Sequence, residues 1–508
     1  MFFKQANLKD LVKLLLSAFF LAGLTVNAQT ETKTEVQKRP NFLFVLVDDQ
    51  PFDAVGFSNR YPFLKTPNMD RLSEEGAVME NFFVTQSICS PSRASFLTGT
   101  YPHIHGVNQN NRSVDPNWDK FAPYNSHLQE AGYQTAHVGK IHMAHFKGKK
   151  HIRPGFDYWF SFIGQGKYFN PTVNDNGEEY RMEGYMTDIL TDKAIAWLEE
   201  DRDLDKPFSL NLWHKAVHQP HLPAPRHENF YTDFELPTPP YDTHKETFKG
   251  KPLWQRKKTF GFEWKKHLPI PDALPEKDWP INYDRNMQLL RCLLAIDESL
   301  GKVLETLEKM GELENTVIIY SSDNGYFMGE HTFLDKRLAY ESSMRVPMII
   351  RYPERIKAGT KISEQCLNID LAPTILDFAN LQIPAYMQGE SMLRLLEGKK
   401  EKDWREAVLF EYYLDTYWPY AGPNQIAVRT DEYKLIDNFI KNDIDELYDL
   451  KKDPGEMVNL INSPKHKDTE NRLRNIAEEL KKKYKYNPDR DWWLRQVIRA
   501  NKSKDHVD

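Results

Sequence analysis

Carboxylate and amide side chains follow two apolar runs of this chain, at positions where a strand would end. Asp48 and Asp49 come directly after the first run, and Asp323 and Asn324 come directly after another. The carboxyl ends of parallel strands meet at one edge of a sheet, so we expect these side chains to lie together. Such a set favours Ca²⁺ or Mg²⁺, because both ions prefer oxygen ligands. Taken singly, an aspartate after a strand is more often a turn or helix-cap residue.

The run from Cys89 to Gly99 contains the strongest candidate for a reactive group. Its sequence predicts a helix that Ser90 caps and in which Pro91 takes the first position. Arg93 would lie one turn beyond Cys89, so the cysteine would stand at a helix N-terminus beside a guanidinium group. That arrangement suits a tetrahedral oxyanion. The alternative is a buried free cysteine that precedes a capped helix.

Runs of apolar, β-branched and aromatic residues alternate with helical patterns along the chain. A continuous apolar run indicates a strand buried on both faces, as in a parallel sheet. The predicted strands are 41–47, 135–138, 208–213, 316–320 and 348–350, and the predicted helices include 187–200 and 286–310. We therefore predict an α/β fold with a large, mixed, mostly parallel sheet flanked by helices.

Changes in composition divide the chain into regions. Residues 1–28 have the lysines, short apolar run and small residues of a signal peptide, which predicts export to the periplasm or the exterior. An uncleaved membrane anchor is the alternative. A lipid anchor is not expected, because no cysteine lies near the cleavage site. Residues 36–400 are predicted to form a catalytic domain with an insertion, rich in Pro, Trp, Phe and Lys, at 223–285. Residues 401–508 predict a smaller C-terminal unit with an antiparallel sheet and a helix.

Charge and cysteine content limit the possible partners. The net charge of -6 provides no basic excess for binding nucleic acid. No stretch after the N-terminal region predicts stable membrane insertion. Three cysteines are too few for a disulfide scaffold, and whether Cys292 and Cys366 pair stays open.

The run that begins at Cys89 resembles the signature of the type I sulfatases, in the alkaline phosphatase superfamily. It reads C-x-P-S-R-A-S-x-x-T-G, and the resemblance extends to 41–50, 139–140, 323–325 and 446–450. It implies that a dedicated maturating enzyme oxidises Cys89 to Cα-formylglycine, whose hydrate is the nucleophile. It also implies one Ca²⁺ per chain, with these ligands: Asp48, Asp49, modified Cys89, Asp323 and Asn324.

Basic residues match the same family pattern one by one. Lys140 and His142 follow a predicted strand at period two, so both side chains can point to one side. The resemblance implies that this pair holds the sulfate and the geminal diol, and that Lys336 contacts sulfate. His218 matches the family histidine that donates to the leaving oxygen, although Val217 stands where the family commonly has proline.

The mechanism implied by the resemblance has two stages. One hydroxyl of the hydrate attacks sulfur while Ca²⁺, Arg93, Lys140 and Lys336 stabilise the sulfuryl oxygens. His218, helped by Lys336, protonates the departing alcohol. The second hydroxyl, deprotonated by His142, then releases sulfate and restores the aldehyde.

The predicted substrate is a sulfated polysaccharide or oligosaccharide of the ulvan or heparan type. Residues 329–337 resemble the branch that includes N-acetylglucosamine-6-sulfatases and algal-polysaccharide sulfatases. Trp254 and Trp264 in the insertion are candidate sugar-stacking residues. The alternatives are a phosphodiesterase or phosphonate monoester hydrolase of the same superfamily, and a non-catalytic glycan-binding protein.

Overall fold

The apolar runs form the strands of a ten-stranded mixed sheet in the computed structural model. The model describes residues 39–110, 114–236, 250–257, 283–399, 401–413, 423–439 and 443–486, so the predicted signal peptide at 1–28 lies outside it. The strands of this sheet and of three smaller sheets are β1 Asn41–Val47, β2 Ala77–Met79, β3 Phe82–Phe83, β4 Gln134–Lys140, β5 Tyr158–Phe162, β6 Thr172–Asp175, β7 Glu178–Arg181, β8 Phe208–Trp213, β9 Thr316–Ser322, β10 Phe327–Met328, β11 Leu334–Asp335, β12 Met348–Arg351, β13 Thr360–Ile362, β14 Cys366–Leu367, β15 Ala407–Tyr412, β16 Gln425–Thr430, β17 Tyr433–Asn438 and β18 Glu446–Asp449.

The centre of this sheet is parallel. Its strand order is β13-β2-β12-β9-β1-β8-β4-β5-β6-β7, and β9, β1, β8, β4 and β5 run in one direction. The predicted strand at 348–350 belongs to β12, which runs antiparallel to β9 and β2. Val47 pairs with Ser322 across β1 and β9, which places the residues that follow both strands at the same level of one edge.

Helices cover both faces of the sheet. The helices of the described residues are α1 Pro67–Glu75, α2 Cys89–Thr98, α3 Pro102–His105, α4 Tyr124–Glu130, α5 Met186–Ala196, α6 Leu253–Lys257, α7 Tyr283–Lys309, α8 Glu341–Met344, α9 Leu371–Phe378, α10 Leu393–Leu396 and α11 Lys467–Lys483. Alternate residues of β1 enter different cores, since Leu43 and Val45 pack with α1, α5 and α7 while Phe42 and Phe44 pack with α2, α4 and α9. The period of a strand produces this division, and the predicted α/β fold is confirmed.

A separate four-stranded antiparallel sheet, β15-β16-β17-β18, follows in the C-terminal part. Its apolar side chains form a third core with Leu473 and Ala477 of α11 and with Phe327 and Tyr340. The predicted small sheet with a helix is therefore present. Among the described residues, no helix is long and apolar enough to cross a membrane.

Only part of the predicted insertion at 223–285 is described, at 223–236, 250–257 and 283–285. Trp254 is buried, and its ring stacks on Phe333 at 6.0 Å. The prediction that Trp254 stacks on sugars is therefore wrong, since packing in the third core occupies its ring. Trp264 lies outside the described residues. Cys292 and Cys366 are both free thiols.

Candidate functional site

The two acidic pairs meet at the carboxyl edge of β1 and β9. The backbone N–H of Asp49 donates to Oδ1 of Asp323 at 3.2 Å, and Nδ2 of Asn324 donates to Oδ1 of Asp49 at 2.7 Å. Asp48 and these three residues are fully buried. The parallel register therefore brings together two adjacent pairs of oxygen-bearing side chains that lie 275 positions apart in sequence.

Cys89 is the first residue of α2 and faces this edge. Its sulfur lies 3.4 Å from Oδ1 of Asp48 and 3.0 Å from Nζ of Lys336. Ile88 takes the N-cap position in an extended conformation without a side-chain capping hydrogen bond, and the hydroxyl of Ser90 donates to the carbonyl of His142 at 2.8 Å. The prediction that Ser90 caps the helix is therefore wrong. Its hydroxyl instead ties the start of α2 to the loop after β4.

Three buried cations surround the sulfur and the carboxylates. Nε of Arg93 lies 2.8 Å from Oδ2 of Asp323, and its Nη1 donates to the carbonyl of Lys140 at 2.7 Å. Lys140 pairs with Asp48, and Lys336 pairs with Asp49. Each cation is matched to a carboxylate, which offsets the large desolvation cost of burying charge.

His142 reaches the site by a different route from the one that we predicted. β4 ends at Lys140, and His142 adopts a left-handed backbone conformation with φ of 61°. Strand alternation therefore does not place the pair, and the prediction of a shared strand face is wrong for His142. A turn held by Ser90 brings its ring beside Lys140, and burial followed by this lysine holds the pKa of His142 well below its usual range.

Of the three histidines in the loop after β8, His218 approaches the acidic edge, the carboxyl edge of β1 and β9 that carries the aspartates. Its Nε2 lies 3.7 Å from Oδ2 of Asp49, and its Nδ1 donates to the carbonyl of Gln219 at 2.8 Å. His214 contacts Ser299 Oγ at 3.3 Å, and His221 hydrogen-bonds to the carbonyl of Val217. Among the described residues, Asp48, Asp49, Cys89 and His218 form a buried group whose possible ligand atoms lie within 4.8 Å of one another.

Burial sets the protonation of the central groups. It raises the pKa of the Cys89 thiol to about 12, and the Asp48 carboxylate adds to this rise. Burial and Asp48 also raise the pKa of Asp323 to about 7. For Asp48 burial acts in the same direction, but Lys140 and the other positive groups around it together outweigh burial and hold the pKa of Asp48 well below its usual range. The acidic edge thus places three carboxylates beside three cations, so their charges lie close to balance.

The donor set fits a hard cation. Oδ2 of Asp49 and Oδ1 of Asn324 are buried oxygens without a hydrogen-bond donor in the described part of the chain. Buried oxygens of this kind require a partner. Carboxylate and amide oxygens at one point match the oxygen coordination of Ca²⁺.

Three supporting residues were not predicted. The side-chain oxygen of Gln165 accepts from Nζ of Lys140, and the hydroxyl of Tyr168 donates to the carbonyl of His218 at 2.6 Å. The ammonium of Lys215 lies 4.6 Å from the ring of Tyr168, and burial followed by Lys140 lowers the pKa of Lys215 to about 8. Lys215 follows the end of β8 by two residues, and this position after a buried strand could have identified it from the sequence. Gln165 and Tyr168 lie in an irregular segment, where no sequence pattern marks them.

Comparison with known proteins places this arrangement in a family. A family model described as Sulfatase matches residues 40–381. The chain belongs to the sulfatase family. A second model, described as N-sulphoglucosamine sulphohydrolase, C-terminal, matches residues 329–483 of this sulfatase. The protein is therefore a type I sulfatase of the alkaline phosphatase superfamily and a sulfuric ester hydrolase.

Individual relatives of this sulfatase are similar over most of their length. It is 34% identical to an N-acetylglucosamine-6-O-sulfatase of Bacteroides thetaiotaomicron, over 92% of this chain and 91% of the relative. A solved structure of a protein in complex with its substrate D-glucosamine-2-N,6-O-disulfate has a TM-score of 0.77 and 34% identity, and the match covers 89% of this chain and 99% of that one. A phosphonate monoester hydrolase of Agrobacterium radiobacter shares the fold, with a TM-score of 0.70, 20% identity and coverage of 88% and 96%.

Proposed function

We propose that this sulfatase hydrolyses sulfate esters of a glycan with a Cα-formylglycine hydrate formed from Cys89 and with one Ca²⁺ ion. The observation that carries the proposal is the position of the Cys89 sulfur at a helix start, between Asp48 at 3.4 Å and Lys336 at 3.0 Å. A group at this position faces both a cation site and a lysine. Positive groups beside a nucleophile stabilise the negative charge that develops on oxygen in the transition state.

The unmodified thiol is poorly suited to act as the nucleophile itself. Reactive cysteines have a lowered pKa, because the thiolate is the reactive form. Burial instead raises the pKa of Cys89 to about 12, so the thiol stays protonated at neutral pH. A formylglycine hydrate supplies one hydroxyl to attack sulfur and a second whose deprotonation lets sulfate leave as the aldehyde returns. We therefore infer that a sulfatase-maturating enzyme is a partner of this chain.

Ca²⁺ would be held by the oxygens of Asp48, Asp49, Asp323 and Asn324 together with modified residue 89. The oxygens of Asp49 and Asn324 that have no donor support this assignment. When bound, the ion stabilises negative charge on oxygen, as a Lewis acid. The same oxygens would hold the ion at the carboxyl edge of β1 and β9, beside the start of α2.

The basic residues divide the remaining work in this proposal. Arg93 holds Asp323 and presents the rest of its guanidinium to the site, since its Nη2 is buried without an acceptor in the described residues. Lys140 and Lys336 each bring a fixed ammonium to the position of the sulfuryl oxygens. The low pKa of His142 keeps its ring neutral, and its Nδ1 has no hydrogen-bond partner in the described residues, so this nitrogen can accept the proton of the second hydroxyl.

His218 is the proposed general acid. Its Nδ1–H is committed to the carbonyl of Gln219, so a proton on Nε2 makes the ring an imidazolium. Burial holds the pKa of His218 well below its usual range in the unliganded protein. The negative charge of a bound sulfate ester would favour the proton on Nε2, beside the leaving oxygen.

The His218→Ala variant is expected to lose about 10²–10⁴-fold in kcat on a sugar sulfate, because an alkoxide leaving group needs a proton. The loss on p-nitrophenyl sulfate should be much smaller, since p-nitrophenolate leaves without protonation. Initial rates on both substrates measure this difference. His221→Asn is the matched control, because asparagine can keep the hydrogen bond to the carbonyl of Val217. An equal loss on both substrates would refute the acid role.

The proposed substrate is a 6-O-sulfated glucosamine residue of a glycosaminoglycan. Similarity to the N-acetylglucosamine-6-O-sulfatase over nearly the whole chain supports this choice, as does the complex of a relative with D-glucosamine-2-N,6-O-disulfate. The match to that relative covers 92% of this chain, and the two family models together span the sheet, the site and the C-terminal sheet. An ulvan-type glycan remains the alternative substrate.

A panel of defined sulfated saccharides tests the substrate proposal. We expect the highest kcat/KM on 6-O-sulfated N-acetylglucosamine or on N,6-disulfated glucosamine, with 2-O-sulfated uronic acid and ulvan fragments far lower. p-Nitrophenyl sulfate and p-nitrophenyl phosphate in the same assay separate a sulfatase from a phosphoesterase. A preference for ulvan would overturn the substrate proposal, and a preference for phosphate would overturn the reaction itself.

Export is part of the proposal. The pattern at 1–28 supports a cleaved signal peptide, with residues 36–400 as the catalytic domain and 401–508 as the C-terminal unit. N-terminal sequencing of the protein from its exported fraction tests this, and we expect the mature chain to begin near residue 29. An intact N-terminus would support a membrane anchor instead.

A further inference from the structure

Ser343 hydrogen-bonds to three segments that are far apart in sequence. Its hydroxyl accepts the backbone N–H of Arg337 at 2.9 Å. Its carbonyl accepts the hydroxyl of Ser87 at 2.8 Å and the backbone N–H of Gly325 at 2.8 Å. Ser343 itself is fully buried in the short helix α8.

Each of these three segments carries a proposed functional residue. Arg337 follows Lys336, Ser87 lies two residues before Cys89, and Gly325 follows Asn324. One residue outside the site therefore connects the lysine, the nucleophile position and a proposed metal ligand. Hydrogen bonds behind functional side chains commonly fix their orientation.

The segment around Lys336 depends on such outside support. Asp335 has φ of 77° and Arg337 has φ of 107°, a left-handed region that non-glycine residues rarely adopt. Such conformations persist only where surrounding structure determines them. The hydrogen bond from Arg337 to Ser343 Oγ supplies one such constraint, directly beside the lysine.

The helix α8 also packs tightly against the backbone that follows β9, where the proposed metal ligands lie. A Cβ on residue 325 would lie 2.3 Å from the carbonyl oxygen of Ser342, so only glycine lets the two backbones approach this closely. Asn324 is thus a proposed metal ligand, and the next residue, Gly325, lets the backbone of α8 pack beside it.

Buried charges from the C-terminal sheet hold α8 in place. The carboxylate of Glu341 lies 2.8 Å from Nζ of Lys434 and 3.2 Å from Nε of Arg429. Its backbone N–H donates to Oε2 of Glu456 at 2.8 Å, and Lys434 also lies 2.6 Å from Glu456. A buried network of this kind favours one geometry, because any displacement leaves charges unpaired.

We propose that Ser343 is a positioning residue that holds Lys336 against residue 89, and that Lys434 and Arg429 of the C-terminal sheet fix Ser343 through Glu341. The inference rests on the proposed role of Lys336 at the sulfuryl oxygens. It assigns to the C-terminal sheet a part in setting the geometry of a site to which it contributes no proposed ligand.

A double-mutant cycle tests the inference on the mature enzyme. Ser343→Ala should lower kcat by about tenfold to a hundredfold, as loss of outer hydrogen bonds to functional groups commonly does. Lys336→Ala should lower it further, and adding Ser343→Ala to Lys336→Ala should have no additional effect, since residues that act as one unit are not additive. Additive losses would overturn the positioning role.

Matched measurements separate this inference from the proposed function. Unchanged kcat in Lys336→Ala would refute the role of the lysine itself, independently of Ser343. Ser342→Ala is the control, because the Ser342 hydroxyl makes no hydrogen bond within the described residues, and it should retain full activity. A loss in Ser342→Ala equal to that in Ser343→Ala would overturn the specific role of Ser343. Mass spectrometry should find equal conversion of residue 89 in every variant.

Hydrogen exchange keeps the inference testable if Ser343→Ala does not fold. In the unaltered enzyme the amide of Arg337 should exchange slowly, since it is buried and bonded to Ser343 Oγ. Rapid exchange of this amide would overturn the proposal.

Discussion

The Cys89→Ala variant is expected to fold normally and to release sulfate more slowly by about four orders of magnitude or more, the scale on which loss of a nucleophile acts. Residue 89 lies at the start of α2, within 3.4 Å of Asp48 and 3.0 Å of Lys336. Removing it leaves the cation site and the lysines but no group to attack sulfur. Single-turnover rates and thermal melting measure the two effects separately.

Cys366→Ala is the matched control for this variant. Cys366 is a buried free thiol in an apolar core, so its replacement should lower stability and leave kcat unchanged. Substantial sulfate release by Cys89→Ala would contradict a nucleophile at this position. Loss of kcat in Cys366→Ala at unchanged stability would contradict a role specific to residue 89.

Removal of Ca²⁺ is expected to lower kcat by about a hundredfold or more, because a Lewis acid contributes several kcal/mol and each 1.36 kcal/mol is about tenfold in rate. The acidic edge holds three buried aspartates at Asp48, Asp49 and Asp323. Activity after chelation and after return of each divalent ion measures the requirement. Thermal unfolding should also shift upward as Ca²⁺ is added, because the ion binds the folded state.

Asp49→Asn should abolish the calcium-dependent shift, since Oδ2 of Asp49 is one of the oxygens without a donor among the described residues. Asp53→Asn is the matched control. The carboxylate of Asp53 lies 3.6 Å from Arg60 and is not part of the buried group around Asp49. Calcium should therefore still stabilise this variant. Full activity in protein shown by elemental analysis to be metal-free would contradict the calcium proposal.

The sheet, and the edge that carries the acidic residues, could be predicted because buried strands appear in the sequence as continuous apolar runs. β1 is buried at every residue, and its apolar run reflects this directly. Parallel strands then bring the residues that follow β1 and β9 to one edge, so Asp48 and Asp323 meet without any further information.

The details that could not be predicted depend on contacts between distant segments. His142 faces the site through a left-handed turn tied to Ser90, and no period in the sequence encodes such a turn. The prediction that Trp254 contacts sugar is wrong because its ring packs on Phe333. This contact comes from tertiary packing, which the local sequence does not show. Ser343 lies in an ordinary short helix, and only the folded chain brings it beside the segment of Lys336.

One measurement tests formylglycine-dependent sulfatase chemistry most directly. The protein is produced with varying amounts of a sulfatase-maturating enzyme, and mass spectrometry gives the converted fraction of residue 89 in each preparation. We predict that sulfate release from 6-O-sulfated N-acetylglucosamine, per mole of total protein, rises in proportion to this fraction and extrapolates to zero for the unmodified thiol. Full activity with an intact Cys89 thiol, or no sulfate release from fully converted protein with Ca²⁺, would contradict the proposed function.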